Sequence, residues 1–258
     1  MRVAVFGAGA VGARVARQLA STEEIGAVLV HDRRPDRVRE VVAAVGSPAA
    51  PFEGIGDGLD GAVLALPAGA HAERAAELVG AGVPVISIAD GIADVAALLE
   101  LDAEARARQV PVIVGAGFSP GLTCLLARHA AGRFDTVDEI HVAKAGTGGP
   151  ACAHQHHSAL AGTAVDWRDG GWVRRRGGSG RELVWFPDPV GPRDCYRAGL
   201  PDALLLVPAF AGVERVTARM AANRRDRITA HLPMLRRPHA EGGPGAVRVE
   251  VRGRQGGT

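Results

Sequence analysis

Along residues 1–115, short apolar, β-rich runs alternate with alanine-rich stretches whose apolar positions recur every three to four residues. That alternation is the pattern of βαβ units feeding a parallel sheet. It predicts strands over residues 3–6, 27–31, 61–66, 83–88 and 110–114, with helices over 11–20, 36–45, 70–80 and 92–109. The run Gly61-Ala-Val-Leu-Ala-Leu66 is apolar at every position, as expected of a strand covered by helices on both faces. The first half therefore reads as an α/β domain built on a doubly wound parallel sheet.

The segment Gly115-Ala-Gly-Phe-Ser-Pro-Gly121 interrupts this rhythm. A helix over 122–131 follows it, with Pro120 at its first turn. Beyond Gly132 the pattern predicts strands at 137–144, 213–221, 227–232 and 246–251, a helix at 158–165, and turns over 170–192 around a short strand at 182–186. This is an α+β texture. The expected organisation is a dinucleotide-binding domain over 1–120 and a substrate and dimerisation domain over 121–258, the chain acting as a homodimer on a small molecule.

Candidate chemistry begins with Gly7-Ala-Gly9-Ala10-Val11-Gly12, which follows the first predicted strand and opens the first predicted helix. That context is what a Rossmann fingerprint requires. The first glycine allows the tight turn, the second lets a pyrophosphate approach the backbone, and the third lets helix and strand pack closely. The helix N-terminus then offers free N–H groups and a favourable dipole to the phosphates. Asp32, 20 residues beyond Gly12 at the end of the second strand, is placed to accept from the adenosine ribose. A carboxylate there favours NAD, whereas the adjoining Arg33 and Arg34 could meet the 2′-phosphate of NADP. Leu66 and Pro67, and Asp90 after the next strand, fall at carboxyl ends of strands, where the nicotinamide is expected. His71 reads as a surface residue in the first turn of a helix.

Composition narrows the alternatives. With 47 % hydrophobic and 22 % charged residues the chain is globular, and a net charge of +2 argues against a phosphate-tracking nucleic-acid binder. The arginine runs 174–176 and 224–227 read as solvated faces. No apolar run reaches the ~18 residues of a membrane span, and no cleavable leader precedes the first strand, so a soluble, cytoplasmic protein is expected. Three widely spaced cysteines without a CxxC pair suggest reduced thiols rather than disulfides or a metal site. Lys144 is the single lysine among 30 basic residues.

Taken together, VAVFGAGAVGARVARQLA, LALPAGAH and ALLELDAEARARQVPVIVGAGFSPGL resemble the saccharopine dehydrogenase-like family of NAD(P)-dependent oxidoreductases. The likeness is good over residues 1–132 and thin beyond. It implies redox chemistry at a C–N bond, imine reduction or its reverse, and it implies that the turn Gly117-Phe-Ser-Pro120-Gly121 passes beside the nicotinamide. Relative to the family pattern the chain stops early, after a strand rather than after final helices, which predicts a shortened form.

Hydride transfer needs the protein to supply orientation, a proton donor and charge. Lys144, at the end of a predicted strand, could act as general acid or hold a carboxylate. His154, His156 and His157 cluster at a predicted helix start, without zinc-ligand spacing. Arg193 and Asp194 form a candidate clamp for an amino-acid substrate, or an ion pair with each other. The reacting site is expected in the cleft between the domains. Tyr196 lacks a lysine four residues on, the fifth strand lacks Glu-Lys-Pro, and paired lysines are missing, which weakens the short-chain, sugar and homoserine dehydrogenase alternatives. A dehydrogenase acting on a hydroxyl carbon and a non-catalytic dinucleotide-binding protein stay open.

Overall fold

The computed structural model describes residues 1–54, 58–146, 150–232 and 243–256. The chain divides into two compact units, Met1–Ala89 with Ala93–Ala116, and Asp90–Ile92 with Gly117–Thr258.

In chain order the first unit carries β1 (Arg2–Phe6), α1 (Ala10–Ala20), β2 (Ala27–His31), α2 (Pro35–Val45), β3 (Ala49–Pro51), β4 (Gly61–Leu64), α3 (His71–Gly80), β5 (Val85–Ser87), α4 (Ile92–Glu100), α5 (Asp102–Arg108) and β6 (Val112–Val114). All the strands run parallel in the order β3-β2-β1-β4-β5-β6. That order reverses direction between β1 and β4, the switch point at which open α/β sheets bind ligands. Val5, Phe6 and Leu64 are fully buried beside it, while Gly12 and Ala16 form the small buried face of α1.

Two expectations change here. The predicted helix over 92–109 is two helices, because Asp102 and Glu104 start a new one and Arg106 and Arg108 end it. Each end carries the charge its dipole favours, and the pairs Arg106–Asp102 and Arg108–Glu104 span one turn. Strand β3, absent from the hydrophobic pattern, is a three-residue edge whose Pro51 is tolerated because one side needs no ladder.

The second unit contains α6 (Leu122–Ala131), β7 (Thr136–Ala145), α7 (Pro150–Ala161), β8 (Thr163–Arg168), β9 (Gly171–Arg176), β10 (Glu182–Trp185), β11 (Pro192–Arg197), α8 (Asp202–Ala209), β12 (Arg215–Ala221), α9 (Arg224–Thr229) and β13 (Ala246–Arg254). Its mixed sheet runs β10-β11-β12-β7-β13, with β8 paired to β12 and β9. Only β12 and β7 are parallel. Thr123, Ala127 and Ala131 are the buried residues of α6, spaced every fourth position so that one stripe faces the core. Around them pack Ile140, Leu160, Leu200, Leu206 and Met220.

The α+β reading of this half holds, with local corrections. The helix expected over 158–165 is the end of α7 and stops at Ala161, before Gly162, a poor helix former whose N–H still reaches the Ser158 carbonyl. The β-branched Thr163 and Val165 then enter β8. Residues 227–232 are not a strand. Asn223 and Asp226 form a reciprocal capping box that starts α9 instead. No helix among the described residues is long and apolar enough to cross a membrane.

Leu206 is 1 % exposed within this core, and all three tryptophans, Trp167, Trp172 and Trp185, lie in the same unit. Leu206→Ala is expected to cost about 2–5 kcal/mol. Urea unfolding followed by tryptophan emission measures it, and a loss below about 1 kcal/mol contradicts this packing.

Candidate active site

The glycine turn joins β1 to α1 at the switch point. Gly7 has φ +109° and donates its N–H to the His31 carbonyl at 2.7 Å. A Cβ there would lie 2.1 Å from the Ala65 carbonyl oxygen, and one on Gly12 would lie 1.7 Å from that of Gly7. Both positions therefore exclude every side chain. Gly9 differs, for its φ is −76° and a Cβ would meet nothing within 4 Å. Its glycine is not required by the fold, and the space before it is what an approaching phosphate needs. The first helical hydrogen bond is Ala13 N–H to the Gly9 carbonyl, so the N–H groups of Ala10, Val11 and Gly12 open the helix toward that space.

Asp32 fixes the turn from the other side. One carboxylate oxygen accepts the Ala8 N–H at 2.8 Å, and the other accepts the Arg34 N–H at 2.9 Å. Burial alone would raise its pKa. The two backbone donors and the Arg34 guanidinium outweigh that and hold it below the ordinary carboxylate range. Asp32 thus stays ionised, with lone pairs left for ribose hydroxyls. Arg33 and Arg34 are exposed beside it.

At the neighbouring strand ends the structure corrects the expectation for His71. It is 2 % exposed, not a surface residue. Its Nε2 lies 2.9 Å from the Leu66 carbonyl and its Nδ1 2.9 Å from the Ser87 hydroxyl. The carbonyl can only accept, so Nε2 carries the proton and Nδ1 accepts from Ser87, whose oxygen accepts the Ala89 N–H. Buried Asp94 accepts the N–H groups of Gly69 and His71 and so caps α3 from the adjacent helix. These side chains hold Leu66 and exposed Pro67 in place. The signal was present as a histidine, a serine and an aspartate at strand and helix ends, but their pairing is not readable from spacing.

In the second unit, the turn Gly117–Gly121 is closed by Gly117 N–H to the Pro120 carbonyl and Leu122 N–H to the Gly117 carbonyl. It is anchored by Asp202, which the sequence did not single out. Ser119 Oγ donates to Asp202 at 2.8 Å and Thr123 Oγ1 at 2.6 Å. Asp202 is completely buried. Burial pushes its pKa up, opposed by the Thr123 and Ser119 hydroxyls and by the Lys144 ammonium. Lys144 itself is half-buried near the end of β7, between Met220 of β12 and Val247 of β13. Asp90 clusters with this unit, its carbonyl accepting from Gln155 at 3.4 Å.

The histidines lie within α7 rather than at its start. His154 is exposed, whereas His156 and His157 are buried. Burial lowers the proton affinity of His157, with Asp226 opposing and His154 reinforcing the shift. Arg193 and Asp194 are consecutive on β11 and so face opposite sides of the sheet. Asp194 pairs with Arg181 at 2.9 Å, and exposed Arg193 donates to the Pro192 carbonyl. The fold does not converge these two on one point. Burial drives the Cys195 thiol up to about 12, in keeping with an inert cysteine.

Residues 2–91 match the family described as NADP oxidoreductase coenzyme F420-dependent. The chain has the fold of NAD(P)-dependent oxidoreductases. It is similar to apo histidine-tagged saccharopine dehydrogenase (L-Glu forming) from Saccharomyces cerevisiae, with TM-score 0.61 and 17 % identity over 89 % of this chain and 56 % of that one. It spans little more than half the length of that enzyme. GenD2 from gentamicin A biosynthesis, solved in complex with NAD, gives TM-score 0.51 and 16 % identity over 99 % and 70 % of the two chains. UDP-N-acetylglucosamine 3-dehydrogenase GnnA from Acidithiobacillus ferrooxidans gives 0.50 and 14 % over 98 % and 74 %. No curated protein sequence matches the chain. At these identities the structural likeness is one of fold.

Two outcomes follow from the geometry. Gly9→Val is expected to change stability by no more than about 1 kcal/mol while weakening NADH binding more than about tenfold. Gly12→Ala should instead cost about 3 kcal/mol in unfolding, at the upper end of overpacking. Fluorescence titration and urea melts separate the two, and equal effects at both positions would refute the assigned roles. For Asp202, a raised folded-state pKa means that the native protein keeps a proton the unfolded chain has lost. Its contribution is therefore greatest at low pH and falls as pH rises past the ordinary carboxyl range. Wild type should lose stability relative to Asp202→Asn as pH rises above ~4; a difference that is flat or of opposite slope contradicts the assignment.

Proposed function

We propose that this protein moves a hydride between a nicotinamide dinucleotide, preferably NAD, and the C–N bond of a small amino-acid-like substrate. The observation that carries the reading is the open backbone at Gly9 facing helix N–H groups, with ionised Asp32 beside it. A carboxylate at that position disfavours a 2′-phosphate and supports NAD. Two observations favour NADP instead: the matched family's description names it, and exposed Arg33 and Arg34 adjoin Asp32.

When bound, the nicotinamide supplies or accepts the hydride. We assign the second unit the handling of the proton and the substrate charge. Lys144 is the proposed acid for the developing amine nitrogen, or the cation for a substrate carboxylate. Asp202 positions the 117–121 turn through Ser119 and Thr123. His154, exposed on α7, is a second proton donor in this reading, whereas buried His157 and divided Arg193 and Asp194 have weaker claims. The C–N assignment rests on the likeness to saccharopine dehydrogenase, and the sugar-nucleotide dehydrogenase likeness supports a hydroxyl substrate as the alternative.

The test combines titration of NADH and NADPH with nicotinamide absorbance assays on keto acids plus amines, amino acids and polyols. Oxidation of NADH that requires keto acid and amine together is the expected result. Lys144→Ala should then lower turnover about 100-fold or more and leave dinucleotide affinity within about twofold. Turnover with polyols alone establishes the hydroxyl reading, and tight binding without any hydride exchange establishes a regulatory protein.

A further inference from the structure

The two arginine runs that read as solvated faces converge on one cavity of the second unit. Its volume is about 540 Å³, and among the described residues it is lined by Arg176 from the end of β9, by Arg224, Arg227 and Ile228 of α9, by His231, by Leu160 and by the Gly177–Ser179 turn. A space of this size suits a metabolite rather than a macromolecule.

Its charge is one-sided. No carboxylate among the described residues lines it, and none pairs with Arg176, Arg224 or Arg227. Neighbouring arginines of the same unit are neutralised, Arg181 by Asp194, Arg197 by Asp166 and Arg219 by Glu182. Arg227 is held in place by stacking 4.4 Å over the ring of buried Tyr196, an orienting contact that leaves its N–H groups unspent. The turn beneath contributes little, since the Gly177 and Gly178 N–H groups already donate to the carbonyls of Gly162 and Arg197. A Cβ on Gly177 would lie 2.6 Å from the Gly162 and Leu160 carbonyl oxygens, so the turn is packed tight against the end of α7. Recognition therefore falls to guanidinium groups, whose planar forks match carboxylate and phosphate oxygens. Leu160 and Ile228 add an apolar contact for a short carbon skeleton.

We propose that this cavity binds a small molecule carrying two or more anionic groups, carboxylate or phosphate, at a site separate from the glycine turn. An anion relieves the mutual repulsion of three arginines that have no carboxylate partner among the described residues. A nucleic-acid backbone would instead call for a basic stripe along the surface.

The test is calorimetric titration of the full chain, without dinucleotide and at fixed ionic strength, using pyrophosphate and citrate as probes. The double variant R176Q/R224Q should weaken binding of the preferred probe about thirtyfold or more, as expected for two charged hydrogen-bonding partners. The charge-matched R174Q/R225Q alters the same two segments outside the cavity and should stay within about twofold of wild type. Tryptophan-monitored melting checks that both fold. Preference for citrate identifies a polycarboxylate ligand and preference for pyrophosphate a phosphate ester, and either supports the site. The proposal fails if neither probe binds saturably, if R174Q/R225Q weakens binding equally, or if R176Q/R224Q leaves it unchanged, as binding at the glycine turn would. It also fails if an oligonucleotide binds and neither small anion does.

Discussion

At the switch point of the six-stranded sheet, the backbone of Gly7 lies so close to the Ala65 carbonyl that a Cβ would sit 2.1 Å from it. Gly12 approaches the Gly7 carbonyl closer still. This three-way contact sets where α1 begins and how near its N-terminus comes to the carboxyl ends of β1 and β4. The free N–H groups at the start of α1, the open space at Gly9 and the hold of Asp32 on the Ala8 N–H follow from it. The three glycines look alike in sequence and act differently. Two are steric necessities of the fold, and the third is needed only if something approaches it.

Buried polar anchors play the corresponding part elsewhere. Asp202 binds two hydroxyls of the 117–121 turn and α6 from a site without solvent, and Asp94 with His71 fixes the strand ends near Leu66. Such groups are costly to bury and costlier to leave unpaired. Their full satisfaction makes each local geometry specific. Lys144, the only lysine, bears on Asp202 electrostatically.

Arginine carries nearly all the positive charge, and its fate depends on tertiary context. Exposed pairs such as Arg106–Asp102 or Arg252–Glu250 are screened by solvent and contribute little to stability. The three that line the cavity at α9 have no such counter-charges among the described residues, which turns an unremarkable composition into a localised field.

The parallel sheet, the glycine turn and the offset to Asp32 were legible in the sequence because each depends on local periodicity or on backbone sterics within a few residues. The α+β character of the second half was legible for the same reason, though its boundaries were not. The helix over 92–109 splits where charges suit two sets of helix ends, and residues 224–229 become helical through a capping box that a strand-like apolar run concealed. Tertiary structure alone decided that His71 is buried, since its partners are the Leu66 carbonyl just beyond β4 and the Ser87 hydroxyl at the end of β5. It also placed Asp202 with Ser119 and Thr123, 83 and 79 residues away, separated Arg193 from Asp194, and brought Arg176 to Arg224 and Arg227. Burial, pairing and convergence of charge depend on which elements lie side by side, and a hydrophobic period specifies the inward face of an element without naming its neighbour.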